Sequence, residues 1–206
     1  MTFIKICGIT NAVDALEAAD AGADVLGFIG VPGGPRYLTP QAFAEISACL
    51  PIFVKRVIVV QRPEDAAEYL SEFVQHYEND TDDIGVRRGA AWRIKAFRMR
   101  DESTLAEIAA YPDAVGAVLL DAYHRTMLGG SGETFDWTLA ARAKKLTDKP
   151  LILAGGLTPE NVKEALQAVR PYAVDVSSGV EESPGLKDHA KIKAFVRAVR
   201  EFDLGL

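Results

Sequence analysis

Apolar residues along the chain gather in short, nearly unbroken runs, each followed by a glycine-containing stretch and then by a segment of helical spacing. Seven runs read as strands: Phe3–Cys7, Val25–Ile29, Phe53–Val60, Arg93–Phe97, Val115–Leu120, Leu151–Ala154 and Ala173–Ser177. Their lack of polar alternation predicts strands covered on both faces, as in parallel sheets. Helices are predicted over Ala12–Ala21, Pro40–Ala48, Pro63–Ser71, Glu102–Ala110, Thr138–Leu146, Pro159–Val169 and Lys191–Glu201. Several open with proline behind a polar cap, as in LTPENV, where Thr158 caps and Pro159 is the first helical residue.

The order is therefore βα, repeated from end to end. Seven such units and a doubtful eighth in 206 residues predict an α/β fold, a (βα)8 TIM barrel forming one domain over residues 1–206. No G-x-G-x-x-G follows the first strand, which speaks against an open dinucleotide-binding sheet. The doubtful unit is the fourth, EFVQHYENDTDDIGVRRGAAW. A strand fits Phe73–Tyr77, but Glu78–Ala91 is acidic and broken by Gly85 and Gly89, so the fourth helix is expected to be shortened or missing.

Composition narrows the function. The net charge of −6 and the absence of a basic stripe argue against nucleic acid as a partner. No apolar run approaches the roughly 20 residues of a membrane helix, so no membrane partner is expected and a cytoplasmic location is. Cys7 and Cys49 lie far apart without partners at metal-ligand spacing, which predicts free thiols and no metal site.

In such barrels chemistry sits at the C-terminal ends of the strands, and phosphate is often held after strands seven and eight. The seventh strand ends in LILAGGLTPENV and the eighth in VDVSSGVEESPG. Gly155, Gly156, Ser178 and Gly179 offer backbone N–H and hydroxyl donors there, in loops without Lys or Arg at those positions. Either these are ordinary turns or they bind a phosphorylated small molecule. The first strand ends at Cys7 and the sixth at Asp121, each in reach of acid–base work. From reference values near 8.5 and 3.9, such work needs the thiol's pKa lowered and the carboxyl's raised. The alternatives are a small core cysteine and a capping aspartate. Arg36, in VPGGPRYLTP, is either a carboxylate clamp or a surface cation. Lys5 and Asp175 are charges within apolar strands that closure makes neighbours, so an ion pair beneath the site is expected. A long glycine-bearing loop, DAYHRTMLGGSGETFDW, follows the sixth strand and has the character of a segment that closes over substrate.

The segments KICGIT, PRYLTP, LLDAY with GGSGETFDW, LAGGLTPENV and VDVSSGVEESPGLKD, in this order and spacing, resemble the phosphoribosylanthranilate isomerase family. The resemblance covers nearly the whole chain and is weakest from about Arg62 to Ala91. It implies an Amadori rearrangement of N-(5-phosphoribosyl)anthranilate without cofactor or metal. It also implies Cys7 as general base, Asp121 as general acid, Arg36 on the anthranilate carboxylate, and phosphate on the Gly155–Gly156 and Ser178–Gly179 loops. Where the family carries Gln-Leu-His-Gly, this chain has Gln75, His76 and Tyr77, with Tyr77 at the histidine position; His76 and His124 each read first as a solvated histidine and only alternatively as a substitute for that contact. Competing readings are an epimerase or thiamine-phosphate synthase type of phosphate-binding barrel, and a barrel that binds a ligand without catalysis. The oligomeric state is left open between monomer and homodimer.

Overall fold

The computed structural model describes residues 1–78, 87–88, 91–111, 115–122 and 136–206. Eight parallel strands form the barrel: β1 (Phe3–Cys7), β2 (Val25–Ile29), β3 (Lys55–Val60), β4 (Phe73–His76), β5 (Ala91–Met99), β6 (Ala117–Ala122), β7 (Leu151–Leu153) and β8 (Ala173–Val176). Each pairs with the next, β8 pairs with β1, and the β4–β5 pairing completes the ring. A two-residue strand, Arg87–Arg88, runs antiparallel to the start of β5. A small antiparallel hairpin joins Glu181–Ser183 to Leu186–Lys187.

The unbroken apolar runs follow from two cores. Ile4, Ile6, Leu26 and Phe28 point outward, under the helices, where they are fully buried. Cys7, Val57, Val59, Ile94, Leu119 and Ile152 point inward and fill the barrel. Helices α1 (Ala12–Ala21), α2 (Pro40–Ala48), α3 (Glu102–Ala110), α4 (Trp137–Ala143), α5 (Val162–Val169) and α6 (His189–Leu204) make the outer ring. Asn11, Thr39, Asp101, Asp136 and Asp188 cap five of them by accepting first-turn N–H groups.

Two predicted helices differ. Pro63–Ser71 shrinks to a single 3-10 turn, Pro63–Ala66, because the chain folds back early. Tyr69 is buried with its hydroxyl on the Leu38 carbonyl, and the Ser71 hydroxyl ties to the Arg56 and Phe73 carbonyls. The helix predicted from Pro159 begins at Val162 instead. Asn161 accepts from the Thr158 N–H at 2.8 Å and holds Thr158–Asn161 as a turn. The stretch judged to lack a fourth helix lies largely outside the described residues, as does the loop over 123–135 with His124.

Candidate active site

The strand ends open into a cavity of about 380 Å³ at the C-terminal mouth. Cys7, closing β1, and Asp121, near the end of β6, both line it and are each 6% exposed. Gly155, Gly156 and Ser178 line it from the loops after β7 and β8, and Arg36 from the loop after β2. Strand-end reasoning thus brings six of its seven candidates to one hollow.

Gly179 is the exception. It does not line the cavity, and a Cβ there would collide with the Leu157 carbonyl oxygen. Its missing side chain lets the loop after β8 lie directly on the loop after β7, so the two glycine-bearing loops meet as one surface. Among the described residues lining the cavity the cation is Arg36, so backbone N–H groups are what these two loops offer an anion.

Burial moves both titratable groups upward, toward its role for one and away from it for the other. Burial, reinforced by the Asp175 carboxylate, pushes Asp121 up to about 6, against a hydrogen bond accepted from the Tyr77 hydroxyl at 3.3 Å. That is the expected direction for an acid. Burial also pushes the Cys7 thiol up, although the nearby Lys5 and Lys187 ammonium groups pull it down. The thiol's pKa therefore moves up where base chemistry called for a fall, because a sulfur closed off at the barrel's centre loses more hydration than two cations restore.

Arg36 differs from a free carboxylate clamp. Its Nε and Nη2 donate to Glu181 Oε1 and Oε2 at 2.8 and 2.6 Å, so the bidentate face of the guanidinium is engaged within the protein. Glu181 also accepts from Lys187 Nζ at 2.9 Å. Lys187 in turn donates to the Cys7 carbonyl at 2.6 Å and to the Ser177 carbonyl at 3.2 Å. The hairpin after β8 thereby fixes both Arg36 and the backbone of Cys7. Glu181 and Lys187 were missed by sequence reasoning. The signal available was two charges flanking the Pro-Gly turn of VEESPGLKD.

Beneath these groups Lys5 Nζ meets Asp175 Oδ2 at 2.9 Å, the ion pair expected from strand alternation. Burial works against the Lys5 charge, but Asp175 and Cys7 more than offset it and hold the ammonium above its ordinary value. Gln75 and Tyr77 also line the cavity, whereas His76 is fully buried with Nδ1 on the Glu78 carbonyl, so His76 does not replace the family's histidine there. Among the described residues no group of three or more His, Cys, Asp or Glu side chains is placed to hold a metal ion, and no helix is long and apolar enough to cross a membrane.

The sequence relatives of the chain come from one family. The sequence pattern of the N-(5′-phosphoribosyl)anthranilate (PRA) isomerase family matches residues 4–198. The N-(5′-phosphoribosyl)anthranilate isomerase of Geobacter sulfurreducens is 46% identical over 208 residues, covering 97% of this chain and 99% of that protein. The crystal structure of phosphoribosyl anthranilate isomerase from Thermotoga maritima superposes with a TM-score of 0.85 at 38% identity, with all of both chains covered. A phosphoribosyl anthranilate isomerase in complex with reduced 1-(o-carboxyphenylamino)-1-deoxyribulose 5-phosphate superposes at 0.81 with 37% identity, again over all of both chains. A further structure shows monomers generated from the dimeric Thermotoga maritima protein, at a TM-score of 0.81, 35% identity, and 97% and 99% coverage of this chain and that one.

Proposed function

The chain belongs to the N-(5′-phosphoribosyl)anthranilate isomerase family, and we propose that Cys7 is the general base and Asp121 the general acid of its reaction. That reaction is an Amadori rearrangement in tryptophan biosynthesis, turning N-(5-phosphoribosyl)anthranilate into 1-(2-carboxyphenylamino)-1-deoxyribulose 5-phosphate. Family membership sets aside the epimerase, thiamine-phosphate synthase and non-catalytic readings.

The supporting observation is that two buried titratable groups, Cys7 and Asp121, line one cavity together with the glycine-bearing loops. Protonated Asp121 gives its proton to the ribose ring oxygen, the bond from that oxygen to C1 breaks, and the nitrogen lone pair forms an iminium. The Cys7 thiolate then takes the proton from C2. The C–H electron pair becomes the C1–C2 double bond, and the iminium pair returns to nitrogen. Loss of the C2 hydroxyl proton and protonation of C1 complete the ketone. Every step is a proton transfer or an electron shift within the substrate.

In this reading the phosphate sits on backbone N–H groups of the Gly155–Gly156 and Ser178–Gly179 loops, and the anthranilate carboxylate sits on the donors of Arg36 left beside Glu181. The working form is a monomer or a homodimer in the cytoplasm, acting on this small phosphorylated substrate within one domain. The test is turnover of Cys7→Ser and Asp121→Asn. Each should lose about 10²- to 10⁴-fold in kcat, the usual worth of a positioned proton transfer, with binding of the reduced product analogue retained. Near-normal kcat in either variant overturns that residue's role.

A further inference from the structure

Below Cys7, three side chains from three strands meet inside the barrel. Lys5 Nζ donates to Asp175 Oδ2 and to Gln75 Oε1, both at 2.9 Å, and all three residues are at most 7% exposed. Lys5 and Asp175 stand opposite each other in the β1–β8 register. This leaves the second carboxylate oxygen of Asp175. Asp175 Oδ1 is buried without a hydrogen-bond partner, on a residue that lines the cavity alongside Cys7 and Asp121.

A buried carboxylate oxygen left unpaired is expensive, and it can only accept, so its complement is a donor. The substrate's phosphate and carboxylate are acceptors when ionised and are repelled by Asp175. Its donors are the ribose hydroxyls and the anilino N–H. Position selects among them. Cys7 and Lys5 are two residues apart on the inward face of β1, and Gly27 of β2 is the register partner of Cys7. A Cβ on Gly27 would lie 2.6 Å from Cys7 Sγ and 2.9 Å from Lys5 Cε. Sulfur and ammonium-bearing carbon thus pack side by side against the same glycine, and the carboxylate held by that ammonium belongs to the neighbourhood of the carbon that Cys7 deprotonates.

We infer that Asp175 is a substrate-binding residue whose Oδ1 accepts a hydrogen bond from the C2 hydroxyl, turning the C2–H bond toward Cys7 Sγ. The inference rests on the assignment of Cys7 as base. Proton removal from C2 leaves the hydroxyl proton in place, so the contact persists through the enolamine. Lys5 and Gln75 are positioning residues that hold the other oxygen and fix the carboxylate's angle.

Binding of unreactive ligands tests this apart from the base's role. Reduced 1-(o-carboxyphenylamino)-1-deoxyribulose 5-phosphate carries a hydroxyl at C2 and is compared calorimetrically with its 2-deoxy and 3-deoxy counterparts. The unaltered enzyme should prefer the hydroxylated ligand over the 2-deoxy one by about 10- to 100-fold, the worth of a hydrogen bond to a charged group. The paired replacement Lys5→Met with Asp175→Leu, which removes both charges together, should bind the two within about twofold. Equal affinities in the unaltered enzyme, a preference that follows the C3 hydroxyl instead, or a paired variant that keeps the full preference would each overturn the inference. The first two outcomes need no variant to fold. None of the three ligands reacts, so failure here leaves Cys7's role to its own kinetic test.

Discussion

Replacing Glu181 with glutamine removes the charge on which Arg36 and Lys187 converge. In the structure this carboxylate accepts from Arg36 Nε at 2.8 Å, Arg36 Nη2 at 2.6 Å and Lys187 Nζ at 2.9 Å, with its side chain 4% exposed. Taking one partner from a buried ion cluster costs roughly 3–5 kcal/mol. Glutamine keeps one acceptor oxygen but turns an NH2 toward a cation, which places the loss near the lower figure, about 3 kcal/mol. For a chain of this size each kcal/mol moves Tm by about 2–4 °C, so Glu181→Gln should melt about 6–12 °C lower at pH 7. Burial raises the Glu181 pKa, but Arg36 and Lys187 outweigh it and leave the carboxyl below its ordinary value. A depressed native pKa stabilises above the unfolded value of about 4.3 and loses that contribution as pH falls through the native one. The gap between wild type and variant should therefore be full at neutral pH and close below about pH 4. Arg36, released from its clamp, should show as a raised KM with a smaller change in kcat. The exposed neighbour Glu182 is the control, with Glu182→Gln expected within about 0.5 kcal/mol of wild type. A Tm shift under about 2 °C at pH 7, or a gap that stays constant into acid, would refute the assigned clamp.

Gly179→Ala puts a methyl group against the Leu157 carbonyl and should part the two glycine-bearing loops, raising KM about 10²-fold by misplacement while circular dichroism stays native; an unchanged KM would show that the loops need not touch. The free-enzyme profile of kcat/KM should rise with pH through about 6, where Asp121 titrates, and fall again only above the ordinary thiol value, since burial raises Cys7. The state with acid protonated and base ionised is a fixed minor share of the singly protonated pair between those limbs, and an acid limb near 4 would contradict the burial of Asp121. Tyr77→Phe removes a donor that favours the Asp121 carboxylate, so the acid limb should move upward; no movement would disconnect that hydroxyl from Asp121. Gly27→Ala, crowding Cys7 Sγ at 2.6 Å, should cut kcat about 10²-fold with little loss of ligand affinity, and a fully active variant would mean that the sulfur has room to move.

The barrel was readable because each strand carries its own evidence, an apolar run with both faces covered. The placement of Cys7 and Asp121 at the cavity was readable because strand ends are where such a fold exposes its interior, and the Lys5–Asp175 pair followed from alternation plus closure. What escaped is long-range. Arg36 and Glu181 are 145 residues apart, and no local spacing announces that the arginine's fork is engaged. The direction of the Cys7 shift depends on how deeply the thiol is enclosed, which a pattern of apolar letters does not measure. Gly179 has a second reason to be glycine. A loop glycine signals that something approaches the backbone closely, and here it is another stretch of the same chain, the Leu157 carbonyl.

The bond from Lys187 to the Cys7 carbonyl spans 180 residues. Translation makes the cysteine before the other seven barrel strands and the lysine after all of them. A growing chain that has completed seven strands already holds Cys7, Asp121 and Gly155–Gly156, yet nothing from the Glu181–Lys187 hairpin is present to seat the cysteine's backbone or to aim Arg36. On the proposed roles, proton transfer waits until the hairpin after β8 has been made, and the onset of turnover becomes a clock for closure of the site.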